Sequence, residues 1–291
     1  MLSWRAVAQS DLRAVTSLAR QCLSFDGGQP YAADPDVLAR WYTADARTCA
    51  GWDGDELICV SSLRLPAGQG AGSDAVTTGL VHPHRRRRGI GERAFDWAAG
   101  QAGNRALRAE TEMLNEGAHV LYLSKGLSQV FAEDVMQLDG SAGLSAAHGP
   151  EGLVLSHWGQ ADPARFFAVY QASFRDRPGF PGWTQERWIE WISGDEDFRA
   201  DWTLLASIDG DDVGFVVGDA TSWIAQMGVI PSARGKDVGA TLLGEAVRLM
   251  RSGGESTITL NVNVDNPRAI ALYRRFGFTR TGSRARYEAR P

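Results

Sequence analysis

Short apolar runs broken by turn dipeptides alternate with amphipathic stretches along this chain, and the whole series runs twice. In each half the pattern predicts helix, helix, strands, helix, strand, helix, strand, an order that suits a mixed α/β sheet flanked by helices. Asp53-Gly54 and Asp209-Gly210 each lie between two apolar runs and predict hairpins. Asp11 and Asp162-Pro163 predict helix starts, because an Asp side chain caps free amides and proline is pre-set for the first turn. Residues 76–81 read as a strand, then come a proline, four arginines and Gly89-Ile90-Gly91, and then an amphipathic run through Ala94, Phe95, Trp97 and Ala98.

Laying the second half over the first shows a duplication. Val81-His82-Pro83-His84-Arg85-Arg86-Arg87-Arg88-Gly89-Ile90-Gly91 matches Val229-Ile230-Pro231-Ser232-Ala233-Arg234-Gly235-Lys236-Asp237-Val238-Gly239. Downstream, Asn115, Ala118, Leu121, Tyr122, Gly126 and Leu127 fall over Asn266, Ala269, Leu272, Tyr273, Gly277 and Phe278. The hairpin dipeptides give a third matched block in the same order. Gly, Ser, Ala and Pro accumulate without apolar periodicity around 140–152, which predicts domains at 1–139 and 153–291 joined by that linker, each of single-domain size.

The strand, tight turn and helix start around Arg86 can bind a phosphate. Amides at a helix N-terminus have no partner within the helix, and the macrodipole adds about half a positive charge. Glycines let an anion approach the backbone, and Arg86 to Arg88 offer charge-assisted contacts to a diphosphate. The same residues also suit a plain surface helix start with solvated arginines. They do not suit nucleic acid, since no aromatic interleaving or recognised module accompanies them.

Arg86-x-x-Gly89-x-Gly91 resembles the pyrophosphate-binding pattern Gln/Arg-x-x-Gly-x-Gly/Ala of the GCN5-related N-acetyltransferase (GNAT) family, and Asn266 to Phe278 resembles that family's second motif, with Asn115 to Leu127 a looser copy. The resemblance covers nearly the whole chain as two tandem copies. It implies two tandem GNAT folds, each a mixed, mostly antiparallel sheet with flanking helices, that hold acetyl-coenzyme A in the splay between two central parallel strands. An amine would attack the thioester directly, a strand amide would polarise the carbonyl, and a tyrosine, Tyr122 or Tyr273, would protonate the leaving thiolate. The cofactor positions carried over are Val81, Arg86, Arg87, Arg88, Gly89, Ile90, Gly91 and Asn115 in the first copy. In the second they are Val229, Arg234, Gly235, Lys236, Val238, Gly239 and Asn266.

The copies are unequal, because Asp237 stands where the first has Gly89. A carboxylate there would repel a diphosphate and could cap the helix in its stead. The first copy is therefore expected to bind acetyl-coenzyme A, and the second to supply either another site or a degenerate scaffold. An opposing expectation comes from Trp223 to Val229 and Tyr170 to Pro178, which are similar to actinobacterial tandem enzymes of the mycothiol synthase type, where the C-terminal copy does the chemistry. Glu110 and Glu112 would face one side of a strand, either as a water-mediated base or as part of a solvated face. Thr184 predicts an N-cap, with Trp183 and Trp188 placed as a hydrophobic staple and Trp188, Trp191 and Ile192 on one helical face. That stripe reads as core that could also shape an acceptor pocket, and Phe174 to Pro181 as an acceptor loop or a simple turn.

Composition narrows the partners. Of 291 residues, 44% are hydrophobic and 22% charged, the balance of a globular protein. The net charge of −5 supplies no field for nucleic acid. No apolar run approaches the roughly 20 residues needed to span a bilayer, so a cytoplasmic protein is expected. Cys22, Cys49 and Cys59 form no Cys-x-x-Cys pair and read as reduced, buried thiols. His82, His84, His119, His148 and His157 lack metal-ligand spacing, so no metal is expected. The reading is an acetyl-coenzyme A-dependent N-acetyltransferase for a primary amine of a small molecule: a mycothiol-type precursor, an amino sugar or an antibiotic. It would act as monomer or homodimer. A non-catalytic acyl-coenzyme A- or drug-binding protein and a protein or peptide acetyltransferase are the rivals.

Overall fold

The structure is a computed structural model and describes residues 1–43, 46–65, 74–140, 149–177 and 180–289. The linker residues 141–148 and two residues of the expected acceptor loop, Pro178 and Gly179, lie outside the described residues. Two compact units emerge. Unit 1 is Met1–Val135 with Asn263–Asp265 and Arg280–Pro291, and unit 2 is Met136–Val262 with Asn266–Thr279.

Unit 1 runs β1 (Ser3–Arg5), α1 (Leu12–Asp26), α2 (Pro35–Tyr42), β2 (Arg47–Asp53), β3 (Glu56–Arg64), β4 (Ala75–Val81), α3 (Ile90–Ala102), β5 (Leu107–Thr111), α4 (Glu116–Ser124) and β6 (Leu127–Asp139), the last four residues of which belong to unit 2. Unit 2 continues with β7 (Leu153–His157), α5 (Pro163–Phe174), α6 (Gln185–Ser193), β8 (Leu204–Ile208), β9 (Asp211–Asp219), β10 (Trp223–Val229), α7 (Val238–Ser252), β11 (Thr257–Asn263) and α8 (Pro267–Arg275). The chain's final strand, β12 (Thr279–Ala289), pairs antiparallel with β5, so the far C-terminus completes the sheet of unit 1.

Both sheets are mixed and mostly antiparallel, with one parallel pair at the centre of each. In unit 1, β1 to β4 pair antiparallel in sequence and β4 then lies parallel to β5. In unit 2, β7 to β10 do the same and β10 lies parallel to β11. Each sheet has two apolar faces. Unit 1 packs Val15, Leu18 and Leu38 on one side, and Phe95, Ala98 and Tyr122 on the other. Unit 2 sets Phe166, Tyr170 and Trp188 against Leu242, Val247 and Phe276.

The hairpins at Asp53-Gly54 and Asp209-Gly210 form as expected. So do the caps at Asp162, which accepts from the Ala164 amide at 2.9 Å, and at Thr184, which accepts from the Arg187 amide at 3.3 Å. Three local expectations need correction. Asp11 precedes α1 but does not cap it: its carboxylate turns back to the Ala8 amide and to Arg5. β1 and β7 precede the first helices; they are short strands at the sheet margins, with no long apolar run to mark them. Trp191 leaves the buried stripe, 49% exposed and packed on Trp183, whereas Trp188 and Ile192 are core.

Candidate active site

Both central parallel pairs part after a short register. β4 and β5 are matched only at Ala75 to Thr77, and β10 and β11 only at Trp223 and Ile224, where β10 also carries a bulge. Beyond these points β4 and β10 keep their antiparallel partners on one edge and present the other edge to a gap. In unit 1 a small cavity lies between the parted ends, lined by Tyr42, Thr78, Gly79, Leu80, Thr111 and Glu112.

A turn of the same build stands at each gap. After Val81, the last residue of β4, a 3-10 turn over Pro83–Arg85 leads through Arg86 and Arg87 to Gly89, the N-cap of α3. Gly89 has φ 73° and no side chain caps α3, so the first amides, from Ile90 and Gly91 on, stay available. Arg87 and Arg88 are exposed. Unit 2 repeats the path through Val229, the turn Pro231–Ala233, Arg234, Gly235 and Lys236 to Asp237, then Val238 and Gly239 in α7.

Asp237 takes the left-handed conformation that Gly89 takes, with φ 56°. The expectation that its carboxylate caps α7 is overturned. With this backbone the side chain makes no cap hydrogen bond and points instead to Arg275, 3.5 Å away on α8. Both side chains are more than half exposed, so Arg275 offsets only part of the charge that would repel a diphosphate. Gly91 and Gly239 are equivalent to the atom: an added Cβ would sit 3.5 Å from Val81 and 3.7 Å from Leu121, or 3.6 Å from both Val229 and Leu272. Those are ordinary contacts, which fits a pattern that allows Gly or Ala there.

Asn115 and Asn266 cap the next helices, accepting from the amides of Ala118 at 3.0 Å and Ala269 at 3.2 Å. Their side-chain oxygens are thus committed to the fold. On those helices Tyr122 and Tyr273 are buried. Tyr122 packs on Phe95 and on Tyr287 of β12, with ring centroids 5.9 and 4.9 Å away, and Tyr273 packs on Phe278 at 5.9 Å. Burial, with Tyr287 beside it, pushes the Tyr122 phenol up to about 12. Folding therefore favours the neutral phenol. The stabilisation tied to Tyr122 is complete below the free phenol's range near 10 and is lost as pH rises through about 12. An ultraviolet titration of wild type against Tyr122→Phe should lose one ionisation near pH 12; a lost ionisation near pH 10 would mean the ring is solvated.

Glu110 and Glu112 are neither a solvated face nor a free base. Glu110 pairs with Arg64 at 3.2 Å and Arg286 at 3.3 Å. Glu112, 6% exposed, meets Arg286 at 2.5 Å, Arg284 at 3.5 Å and the Tyr31 hydroxyl at 2.9 Å. Burial and the neighbouring Glu112 push Tyr31 up to about 12.

Some groups at the gaps escaped sequence reasoning. Asp26, at the end of α1, receives both ends of the Arg86 guanidinium, yet it lies 60 positions upstream and nothing local marks it. On β11, just past the last residue matched to β10, the Asn261 side-chain oxygen is buried with no hydrogen-bond partner among the described residues. Ile258, Leu260 and Val262 face α7 and α8, so strand alternation puts Asn261 on the other face, towards α5 and α6. A lone asparagine in a strand carries no motif. Among the described residues no helix is long and apolar enough to cross a membrane, and no His, Cys, Asp or Glu group is placed to hold a metal ion.

Residues 165–278 match the model of the Acetyltransferase (GNAT) family. A mycothiol acetyltransferase of Stackebrandtia nassauensis is 32% identical over 215 residues, which cover 69% of this chain and 70% of that protein. One from Kineococcus radiotolerans is 29% identical over 286 residues, 96% and 93% of the two chains. Among solved structures, a GCN5-related N-acetyltransferase from Sphaerobacter thermophilus has a TM-score of 0.77 at 23% identity, covering 100% of this chain and 96% of that one. A tandem GNAT protein from the clavulanic acid biosynthesis pathway has 0.62 at 20%, covering 100% and 99%. These two likenesses establish the shared fold.

Proposed function

The chain belongs to the acetyltransferase (GNAT) family and is an N-acetyltransferase that uses acetyl-coenzyme A, and from that premise we propose that it acetylates the primary amine of a small, mycothiol-type precursor in unit 2. The observation that carries the choice of unit is the parting of β10 from β11 beside Asn261. A buried acceptor without a partner costs roughly 1–3 kcal/mol, and an ammonium or amine N–H in the gap would relieve that cost. In unit 1 the equivalent strand position is Glu110, already held by two arginines. The mycothiol acetyltransferase relatives, matched along almost the whole chain, support the acceptor class.

The donor supplies the thioester. The unpaired edge of β10 presents amides to its carbonyl, the amine nitrogen bonds to the carbonyl carbon, and the C–S bond breaks. The Tyr273 phenol gives its proton to the leaving thiolate, and the proton shed by the amine passes to water. We further propose that each copy, 1–139 and 153–291, supplies one coenzyme-binding turn, through Arg86 to Gly91 and Arg234 to Gly239, and that the protein works in the cytoplasm as monomer or homodimer. Isothermal titration of acetyl-coenzyme A should fill both turns, with Gly89→Glu and Gly239→Glu each removing one. A chain that takes up none defeats the proposal. Steady-state rates should favour small primary amines such as amino sugars over peptides by about tenfold or more in kcat/KM, and the reverse order would move the enzyme to the peptide class.

A further inference from the structure

The arginine that opens each phosphate-binding turn is held in the same way in both units. Arg86 donates from Nε to the carbonyl of Val81, the last residue of β4, at 3.0 Å. Arg234 donates from Nε to the carbonyl of Val229, the last residue of β10, also at 3.0 Å. Both then reach the end of the first helix of their own unit. Arg86 grips the Asp26 carboxylate with two bonds of 2.6 Å, and Arg234 donates to the Ser173 carbonyl at 3.1 Å. Asp26 is itself only 5% exposed and also receives the Asn115 side-chain amide at 3.4 Å.

From this we infer that Arg86 and Arg234 are positioning residues, staples that tie the strand end to the first helix and so set the turn in which α3 and α7 begin, and that the diphosphate draws its charge from their neighbours instead. Every nitrogen of Arg86 already donates within the protein, and Asp26 cancels its charge. A guanidinium so engaged has little left to offer an incoming anion. The two partners differ chemically, a carboxylate in unit 1 and a peptide carbonyl in unit 2, whereas the bond to the strand's last carbonyl is identical. What the two copies share is therefore the tether, and a ligand-binding role would not require it. The residues left to meet the diphosphate are the exposed Arg87 and Arg88 in unit 1 and Lys236 in unit 2, together with the helix-start amides. Arg234 is exposed as well, but its Nε and Nη2 are committed to the tether.

A staple and a phosphate ligand respond differently to loss of charge. Glutamine keeps a side-chain N–H for the strand carbonyl and gives up the positive charge; alanine gives up both. Arg234 is the position to test, because replacing Arg86 would strand the buried Asp26. The measurement is titration of coenzyme A into the full chain at low and high salt, with the unit 2 site recognised as the transition that Lys236→Ala weakens. Lys236→Ala should raise that Kd several-fold and flatten its dependence on salt, since one screened charge contact is gone. Arg234→Gln should change the Kd by less than about threefold and leave the salt dependence as in wild type, while Arg234→Ala should raise Kd about tenfold or more with the same salt dependence. The inference is overturned if Arg234→Gln weakens binding as much as Arg234→Ala and flattens the salt response.

Discussion

Replacing Tyr273 by phenylalanine is expected to lower kcat by about 10²- to 10⁴-fold, the usual worth of a positioned general acid, with the KM for acetyl-coenzyme A little changed. Tyr122→Phe is expected to change kcat by less than about threefold. A thiolate leaves a tetrahedral carbon slowly unless a proton meets it, and a phenol that stays neutral at working pH is a competent donor. Both tyrosines are buried on the helix after the second parallel strand, so burial does not separate them. What separates them is the other side of the gap. On β11 of unit 2 a buried side-chain oxygen has no hydrogen-bond partner among the described residues, whereas at the equivalent strand position of unit 1 the carboxylate and its neighbour Glu112 are tied up by arginines. The Gln29 side chain of unit 1, also buried and unpartnered among the described residues, lies off the strand, in the loop after α1. Single-turnover measurements on the two variants with one amine would decide it. A large loss from Tyr122→Phe with a silent Tyr273→Phe would move the chemistry to unit 1.

The repeat and the turns before α3 and α7 could be read from sequence because each is written in neighbouring residues: a strand, a proline, glycines, then an amphipathic helix. The two parallel pairs are expected only from the family resemblance. The fate of Asp237 could not. Its identity signals repulsion and capping, but its left-handed backbone sends the carboxylate to Arg275, and that partner is set by tertiary packing. Glu110 and Glu112 misled for the same reason. Alternation along a strand says which side they face but not that Arg284 and Arg286 arrive there from the end of the chain. A strand's sequence specifies its faces and not its neighbour, so the pairing of β12 with β5 has no local signal. Asp26 shows the limit most plainly: it reads as a helix-ending residue, and it becomes the anchor of Arg86 only once α1 crosses the end of β4.

The arginines on β12 make unit 1 depend on the last residues of the chain, and Arg286→Leu is expected to destabilise it by about 3–5 kcal/mol. Glu112 is almost fully buried, and its shortest contact, 2.5 Å, is with Arg286. Removing that arginine leaves the carboxylate to Tyr31 and to Arg284, which is 3.5 Å away and held more closely by Glu133 at 2.8 Å. Deleting the carboxylate instead should cost less, because Arg284 keeps Glu133 and Arg286 keeps Glu110. The order of effects therefore runs Arg286→Leu well above Glu112→Leu. The double variant should recover part of the loss, since an apolar pair replaces an unpaired buried charge. Urea denaturation of the three variants, followed through the unit 1 transition, measures all of this in one series. Equal small losses of under about 1 kcal/mol in both single variants would show the pair to be screened by water, as surface ion pairs are. It would also release Glu112 as a possible base, and the case for placing the chemistry in unit 2 would then rest on Asn261 alone.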